Sequence, residues 1–272
     1  MSKIKDLLET RHKPNILAYG PSMCGKTRFV TTLRKVYTGP CYIFNFDTEE
    51  NLTPIVLSPG MGEVEYDQFD HEAGYDQLIK KIVELKKAAS ESYRTDGKPF
   101  PWDLIVLENG NNLHKITMDT ILRLAGRVDS DGARIQDWGL AADRVKKRLK
   151  EIIDLPCPVY VTFHQQIEKE EIYGRAVGRI LIPGKFLPDE IPPMFNMFLH
   201  FIADSKAGKT EYKVQCGSDP LWPAGDKTGS LDTFEEPDFS IMAAKIGKKL
   251  ALARAAAKLE TKPLPTIEGV TT

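Results

Sequence analysis

Cysteine is scarce in this sequence, and the few cysteines stand far apart. No two of them form a CxxC pair, and none has a histidine at CxxH spacing; they are Cys24, Cys41, Cys157 and Cys216. A zinc site or a disulfide framework needs such spacing, so the sequence predicts neither. Single, scattered cysteines are typical of proteins kept in a reducing compartment, and we expect a cytoplasmic location.

Long apolar runs are also lacking. No run approaches the roughly 18 residues of a membrane-spanning helix. The N-terminal stretch MSKIKDLLETRHKPN is too polar for a signal peptide. The five histidines lie at no ligand spacing, so they give no sign of a histidine-bound metal. The sequence therefore predicts a protein that is neither exported nor embedded in a membrane.

The sequence also lacks an excess of charge of one sign, because 37 basic residues nearly balance 38 acidic ones. Attraction to a nucleic acid must then come from local basic patches, since the whole molecule offers none. The chain has 272 residues, of which 42% are hydrophobic, which is enough to bury one substantial core.

What the sequence does contain is an alternation of short apolar runs with longer helical patterns, which is typical of an α/β protein. The runs that predict buried strands are Asn15–Tyr19, Cys41–Phe46, Asp103–Leu107 and Val159–Phe163. The patterns that predict helices are Lys26–Val36, Tyr75–Ala89 and Ala141–Ile153. Continuous apolar strands are typical of parallel sheets covered on both faces. We therefore predict a mostly parallel central sheet flanked by helices.

The C-terminal third is less regular. Glycine and proline interrupt residues 167–194, which we expect to be mostly loop. Met197–Asp204 and Glu211–Cys216 predict a hairpin of edge strands, and Ile246–Leu259 predicts a helix before a frayed tail, Thr261–Thr272. The expected organisation is an N-terminal arm at residues 1–14, a core at 15–245, and a C-terminal helix and tail at 246–272.

One stretch matches the phosphate-loop pattern G-x-x-x-x-G-K-[ST]. It consists of Gly20, Pro21, Ser22, Met23, Cys24, Gly25, Lys26 and Thr27, and Arg28 follows it directly. The stretch stands between a predicted strand and a predicted helix, as the pattern requires. In such a loop backbone N–H groups surround the β-phosphate, the lysine neutralises the β- and γ-phosphate oxygens, and the threonine hydroxyl binds magnesium. The sequence therefore predicts that this loop binds ATP and magnesium.

Two acidic segments follow predicted strands. Glu108 ends the strand in WDLIVLEN, where a carboxylate can bind magnesium directly or through a water; a solvated acid is the alternative. In FDTEENL, residues 46–52, acids follow the strand at once. A carboxylate there can reach the water that attacks the γ-phosphate, and an ordinary acidic turn is the alternative. For Glu108 we favour the metal role.

Five segments together resemble the RecA-like recombinases and ATPases, especially the small phage-encoded RecA-core proteins associated with single-strand annealing. The segments are GPSMCGKT, FDTEENLTP, WDLIVLEN, DWGLAADRVKKRL and VTFHQQIE, in family order. The resemblance implies a RecA-like P-loop NTPase core. It also implies that Glu49 is the water-activating base, with Glu50 as the competing choice, and that Gln165 or Gln166 senses the γ-phosphate. His164, beside them, either contacts phosphate or makes a structural hydrogen bond.

The resemblance further implies two mobile loops that contact single-stranded DNA, near Gly126–Asp137 and Glu168–Pro188. We call them the first and the second predicted DNA loop. Their basic residues are Arg127 and Arg134 in the first, and Arg175, Arg179 and Lys185 in the second. Tyr173 and Phe186 are the obvious aromatic residues there. A flexible lid or a subunit contact is the alternative role for both loops.

Lys227 resembles the basic residue that this family places across a subunit interface to cap a neighbour's ATP, which implies a homo-oligomer. The family also implies a single-strand-binding or replication protein as a partner and, for a phage-encoded chain, the host cytoplasm. Glu108 stands where the family has aspartate, and neither a separate DNA-binding domain nor a clear polymerisation segment precedes the core. These departures put filament formation and strand exchange in question.

The function expected from this resemblance is a DNA-dependent ATPase that assists annealing or recombination. An alternative is an assembly factor for replication or packaging, acting through the C-terminal helix and the proline-rich segment Ile182–Met194. A small-molecule kinase also uses a phosphate loop. The kinase is disfavoured because the acids after the second strand and the strand-end glutamine suit attack by water.

Overall fold

A computed structural model describes residues 13–58, 63–70, 73–94, 99–127, 132–169, 174–206 and 208–259. Nearly all of the predicted N-terminal arm and the whole predicted tail, Thr261–Thr272, lie outside these residues. No helix within the described ranges is long and apolar enough to cross a membrane.

The described residues form ten strands and seven α-helices. The strands are β1 (Asn15–Gly20), β2 (Cys41–Asn45), β3 (Val64–Gln68), β4 (Leu104–Glu108), β5 (Val159–Lys169), β6 (Ala176–Ile180), β7 (Met197–Lys206), β8 (Lys209–Gln215), β9 (Gly225–Asp226) and β10 (Phe234–Glu235). The helices are α1 (Lys26–Leu33), α2 (Thr53–Val56), α3 (Gly74–Arg94), α4 (Gly110–Leu124), α5 (Ile135–Ile153), α6 (Leu187–Glu190) and α7 (Phe239–Leu259). Short 3₁₀-helices span Glu49–Leu52 and Pro192–Met194.

Eight of the strands form one path through the sheet, in the order β10-β8-β7-β1-β5-β4-β2-β3, while β6 pairs with β5 and β9 with β7. From β3 to β7 all neighbours are parallel, whereas β8 and β10 add antiparallel edge strands. The predicted α/β fold with a mostly parallel sheet is therefore confirmed. Because parallel strands end at the same edge of a sheet, the segments that follow β1, β2, β4 and β5 meet there.

Helices cover both faces of the sheet. On one face α1 and α7 pack against buried side chains that include Phe29, Phe239 and Met242. On the other face α3, α4 and α5 pack around a second cluster that includes Leu113 and Leu149. The central strands β2 and β4 are buried along their whole length, which explains their continuous apolar sequence. The phosphate loop precedes α1 and therefore belongs to the first face.

The prediction that residues 167–194 are mostly loop is wrong for the first part of this segment. β5 continues to Lys169 and pairs antiparallel with β6, so this region begins with a hairpin. Glycine, which suggested a break, is required inside β6 by packing. A Cβ on Gly178 would lie 1.8 Å from Cε3 of Trp222, a distance that no side chain can occupy. The proline-rich part beyond β6 contains α6 and a 3₁₀-helix with buried Leu187 and Ile191.

Three further elements differ from expectation. Two helices, α4 and α5, lie between β4 and β5 where one was expected, because asparagine, threonine and histidine dilute the apolar stripe of α4. β3 was not expected, since its exposed edge position leaves it polar. α7 begins at Phe239, so the expected boundary at 245/246 falls inside a helix whose first turns are buried in the core. The predicted hairpin is confirmed as β7 and β8. Its predicted edge position is wrong for β7, which lies between β1 and β8 in the sheet.

Candidate nucleotide-binding site

The phosphate loop runs from the end of β1 to the start of α1, and glycine is required at both ends. A Cβ on Gly20 would lie 2.5 Å from the carbonyl oxygen of Phe201, so no larger residue fits there. Gly25 has a φ of 97°, which only glycine adopts readily. Met23, with a φ of 61°, points into solvent and is 92% exposed. The backbone is therefore shaped to turn its N–H groups inward at the N-terminus of α1.

Lys26 is buried at this turn, with its ammonium group inside the loop. Its Nζ donates hydrogen bonds to the carbonyl oxygens of Gly20 at 3.0 Å and Pro21 at 2.6 Å. The Sγ atom of Cys24 lies 3.5 Å from the same Nζ, and burial raises the pKa of that thiol. On the other side, the Tyr160 hydroxyl donates to the backbone oxygen of Lys26 at 2.8 Å. The positive charge is thus fixed within the loop at the place where phosphates would bind.

Glu108, at the end of β4, contacts the first turn of α1. The Thr27 hydroxyl donates to Oε1 of Glu108 at 3.2 Å. Burial raises the pKa of Glu108 to about 7, against the lowering effects of Thr162, Lys26 and Thr27. The second oxygen, Oε2, is buried and has no hydrogen-bond partner among the described residues. A buried carboxylate oxygen without a donor, next to a hydroxyl, is the ligand chemistry that Mg²⁺ prefers.

Thr27 and Glu108 therefore fit a magnesium ion, and the loop with Lys26 fits the phosphates of a nucleotide. Arg28, also predicted to bind the nucleotide, is exposed one residue beyond Thr27 in the first turn of α1. Arg28 thus lies in the same helical turn as Thr27. The backbone oxygen of Arg28 accepts a hydrogen bond from the hydroxyl of Thr31 at 2.8 Å.

Asp47 belongs to the predicted acidic segment 46–52, but it was not named as a separate candidate within that segment. It follows β2, and its Oδ2 accepts a hydrogen bond from Nδ2 of Asn109 at 2.7 Å. Its Oδ1 accepts from the backbone N–H of Thr48 at 2.9 Å. The negative charge of Asp47 also contributes to the raised pKa of Glu108, so the two carboxylates are close. Its position directly after a buried strand is the sequence signal that could have found it.

The predicted base, Glu49, and its competitor, Glu50, lie on the 3₁₀-helix that follows Asp47. Both side chains are exposed. The hydroxyl of Tyr66 in β3 donates to Oε1 of Glu49 at 3.1 Å. Hydrogen bonds from its own backbone amide and from Thr48 lower the pKa of Glu50. The structure thus holds Glu49 through a neighbouring strand and Glu50 through its own local backbone.

The two candidate sensor glutamines lie on opposite faces of β5. His164 pairs with Gly20 in the register between β1 and β5, which places it beside the phosphate loop. Burial lowers the pKa of His164, and the charge of Lys26 lowers it further while Asp47 raises it. Successive side chains of a strand point to opposite faces. Gln166 therefore shares the face of His164, and its Nε2 donates to Oε1 of Glu168 at 2.7 Å. Gln165 points to the opposite face.

On that opposite face Gln165 belongs to a buried polar network. Its Oε1 lies 2.9 Å from Nε2 of His200, and Nδ1 of His200 lies 3.1 Å from Oε1 of Gln215. Nε2 of Gln215 donates to Asp219 at 3.0 Å. Trp222 stacks on the His200 ring with centroids 4.3 Å apart. The hydrogen bonds of Gln165 therefore link β5 to His200 of β7 and, through His200, to Gln215 of β8.

The first predicted DNA loop is closed at its base by an ion pair. Two nitrogens of the Arg127 guanidinium contact the two carboxylate oxygens of Asp137, each at 2.7 Å. This contact, together with the backbone N–H of Arg134, lowers the pKa of Asp137 to about 2. Arg127 is thereby bound within the protein, whereas the side chain of Arg134 is exposed. Trp138, which the sequence analysis did not single out, is 41% exposed just beyond the loop.

The second predicted DNA loop begins with the β5–β6 hairpin. Arg179 pairs with Glu168 at 3.1 Å and Asp189 at 3.5 Å, so it also serves the fold. Among the residues of this loop predicted to contact DNA, Arg175, Lys185 and Phe186 are exposed. Tyr173 lies outside the described residues.

Lys227 lies at the opposite edge of the sheet from the phosphate loop of its own chain. Its backbone N–H donates to the carbonyl oxygen of Asn196. The backbone N–H of Asn196 in turn donates to the carbonyl oxygen of Asn15, at the start of β1. Its Nζ donates to the carbonyl oxygen of Pro193 at 2.8 Å. With Arg175 and Arg179 it lines a cavity of about 570 Å³. Lys227 therefore lies away from the phosphate loop of its own chain.

Comparison with known proteins gives three findings. A KaiC-like protein from the hyperthermophilic archaeon Pyrococcus horikoshii OT3 is similar in structure over 74% of this chain and 77% of that chain, with 11% sequence identity and a TM-score of 0.39. The search of curated protein sequences returned no match. The AAA_24 family model, described as an AAA domain, matches residues 12–228. The mostly parallel sheet flanked by helices, with the phosphate loop between β1 and α1, is the architecture of a P-loop nucleoside triphosphatase. The chain belongs to the AAA domain family of P-loop ATPases.

Proposed function

We propose that the chain hydrolyses ATP with magnesium at its phosphate loop, and that single-stranded DNA controls this reaction in phage-type annealing or recombination. The observation that carries the ATPase part is the Thr27–Glu108 contact. It brings a hydroxyl and an unpartnered carboxylate oxygen together at the start of α1, beside the buried ammonium of Lys26. Magnesium bound there supplies charge neutralisation for the phosphoryl oxygens.

Within this proposal Glu49 is the base that accepts a proton from the attacking water. Asp47 is less suited to that role, because N–H donors already occupy both of its oxygens. Glu49 instead accepts a hydrogen bond from the hydroxyl of Tyr66, and its carboxylate is exposed. Asp47 acts as a positioning residue that ties the end of β2 to Asn109 after β4.

The proposed link to DNA rests on the continuity of β5. His164 and Gln166 lie on the face of the phosphate loop, and the same strand runs on into the hairpin that begins the second predicted DNA loop. A change in the contacts of Gln166 would therefore act directly on that hairpin. In the first loop, exposed Arg134 can pair with phosphate and exposed Trp138 can stack on a base, which are the two contacts that single-stranded DNA requires.

The test is the ATPase rate with and without single-stranded DNA, at low and high salt. The proposal expects a higher rate with DNA and salt-sensitive binding when ATP and magnesium are present, since phosphate contacts release counterions. Lys26→Ala is the inactive control. A rate that ignores DNA while Lys26→Ala still abolishes it overturns the DNA part and favours the assembly-factor alternative. Deletion of residues 246–272 would then be expected to remove partner binding.

A homo-oligomer is part of the proposal, because Lys227 lies away from its own phosphate loop and would act on the nucleotide of a second molecule. Lys26→Ala and Lys227→Ala would each be inactive alone. Mixed together, one chain supplies the intact phosphate loop and the other the intact Lys227, so partial activity returns. No recovery in the mixture, with each variant correctly folded, contradicts a role for Lys227 across an interface.

A further inference from the structure

Tyr212 of β8 lies beside the phosphate loop. A Cβ built on Gly25 would lie 3.8 Å from Cδ1 of Tyr212, so the ring lies close to the residue that directly precedes α1. Tyr212 pairs with Ala203 of β7 and shares a face of the strand with Val214, which is buried in the cluster around α1 and α7. The ring nevertheless remains 45% exposed. It therefore forms an open aromatic surface next to the loop.

The order of the strands decides which end of a bound nucleotide faces this ring. β7 and β8 lie on one side of β1, whereas β5, β4 and β2 lie on the other. Glu108, at the end of β4, and Asp47, after β2, would put the metal and the terminal phosphate on that second side. A nucleoside triphosphate is a linear molecule, so its nucleoside leaves the loop in the opposite direction. That direction leads to the β7–β8 hairpin and to Tyr212.

We propose that Tyr212 forms the surface on which the base of the bound nucleotide stacks. This inference rests on the nucleotide binding proposed above. An aromatic ring offers the same contact to every base, because stacking does not read hydrogen-bond donors and acceptors. Tyr212 therefore adds affinity for ATP and GTP alike. It adds less for CTP and UTP, whose smaller rings overlap it less.

The experiment compares the binding of ATP, GTP, CTP and inorganic tripolyphosphate, each with magnesium, by isothermal titration calorimetry. The proteins are the wild type, Tyr212→Ala and Tyr212→Phe. The matched control is Phe234→Ala, which removes an exposed aromatic ring from β10 in the same sheet. Stacking predicts that Tyr212→Ala weakens ATP and GTP binding about 10- to 100-fold. Tripolyphosphate binding stays unchanged, and Tyr212→Phe and Phe234→Ala bind ATP like the wild type.

Two results would overturn the inference in different ways. If Tyr212→Ala weakens ATP and tripolyphosphate equally, or neither, the ring shapes the loop or does nothing, and no base stacks on it. If the wild type binds neither ATP nor tripolyphosphate, nucleotide binding itself fails, and the base site fails with it. The tripolyphosphate measurement on the wild type thus separates the two failures.

Discussion

Thr27 and Glu108 lie 81 residues apart in the chain, and the hydroxyl of the first donates a 3.2 Å hydrogen bond to the carboxylate of the second. Thr27 lies in α1, which follows β1, and Glu108 ends β4; these two strands are not neighbours, because β5 lies between them in the sheet. The contact therefore crosses β5 near His164, which pairs with Gly20. One edge of the sheet thus joins the phosphate loop, the proposed metal-binding carboxylate and the proposed sensor segment.

Glu108→Gln is expected to lower the ATPase rate at least about 10-fold, because changing even a residue that only orients a metal ligand typically costs about 10- to 100-fold. The amide keeps the size of the side chain and can still accept a hydrogen bond from Thr27, but it is a weaker magnesium ligand. The measurement is the rate as a function of magnesium concentration. Glu65→Gln, an exposed acid on β3, serves as the control. A variant with the wild-type rate at every magnesium concentration would show that Glu108 holds no metal.

Glu49→Gln is expected to reduce hydrolysis by at least about 100-fold, as the loss of a general base does. ATP binding is retained, because the phosphate loop is intact. Glu50→Gln keeps most of the activity, since local backbone contacts hold that carboxylate. Single-turnover hydrolysis and equilibrium ATP binding, measured on both variants, check this. The reverse order of the two effects would assign the base to Glu50.

Gln165 and Gln166 are expected to fail in different ways. Gln165→Leu leaves a buried His200 nitrogen without its partner, which costs about 1–3 kcal/mol of the free energy of unfolding. Gln166→Ala leaves stability nearly unchanged but removes the response of the ATPase to single-stranded DNA. Urea unfolding and DNA-stimulated rates on both variants are the measurements. A stable Gln165→Leu that has lost only the DNA response would move the sensor role to Gln165.

His114 is expected to make stability depend on pH. It is buried between α4 and α5 against Trp138, its Nε2 has no hydrogen-bond partner among the described residues, and burial lowers its pKa. Because its folded-state pKa lies below the ordinary value of 6.5, the unfolded chain takes up the proton first, and stability falls as pH drops through 6.5.

In His114→Phe an aromatic ring remains at this position, but the phenyl ring cannot be protonated. Between about pH 7.5 and about pH 5.5 the wild type should lose up to about 1.4 kcal/mol per pH unit more than the variant, the limit for one proton. Urea unfolding at several pH values measures the difference. Parallel curves for the two proteins would mean that His114 does not titrate differently on folding.

Local signals in the sequence were enough for the α/β class and the phosphate loop. The residues from Gly20 to Thr27 are contiguous, so their identity alone specifies a turn between a strand and a helix. The buried strands were equally legible, because burial on both faces requires continuous apolar residues. The sequence missed α4, because its inner face includes polar residues such as Thr117 and Thr120, whose burial depends on neighbouring helices. It missed β6 because Gly178 is required there by Trp222, a contact between distant segments.

The tertiary structure alone decided how the site's side chains are used. It placed Gln165 and Gln166 on opposite faces of β5 and gave Gln165 to His200. It bound Arg127, which the sequence presents as a basic loop residue, to Asp137. It also brought Tyr212 beside Gly25, although 187 residues separate them in the numbering. The physical reason is common to all three cases: a sequence specifies which groups a segment carries, whereas their partners depend on which strands become neighbours.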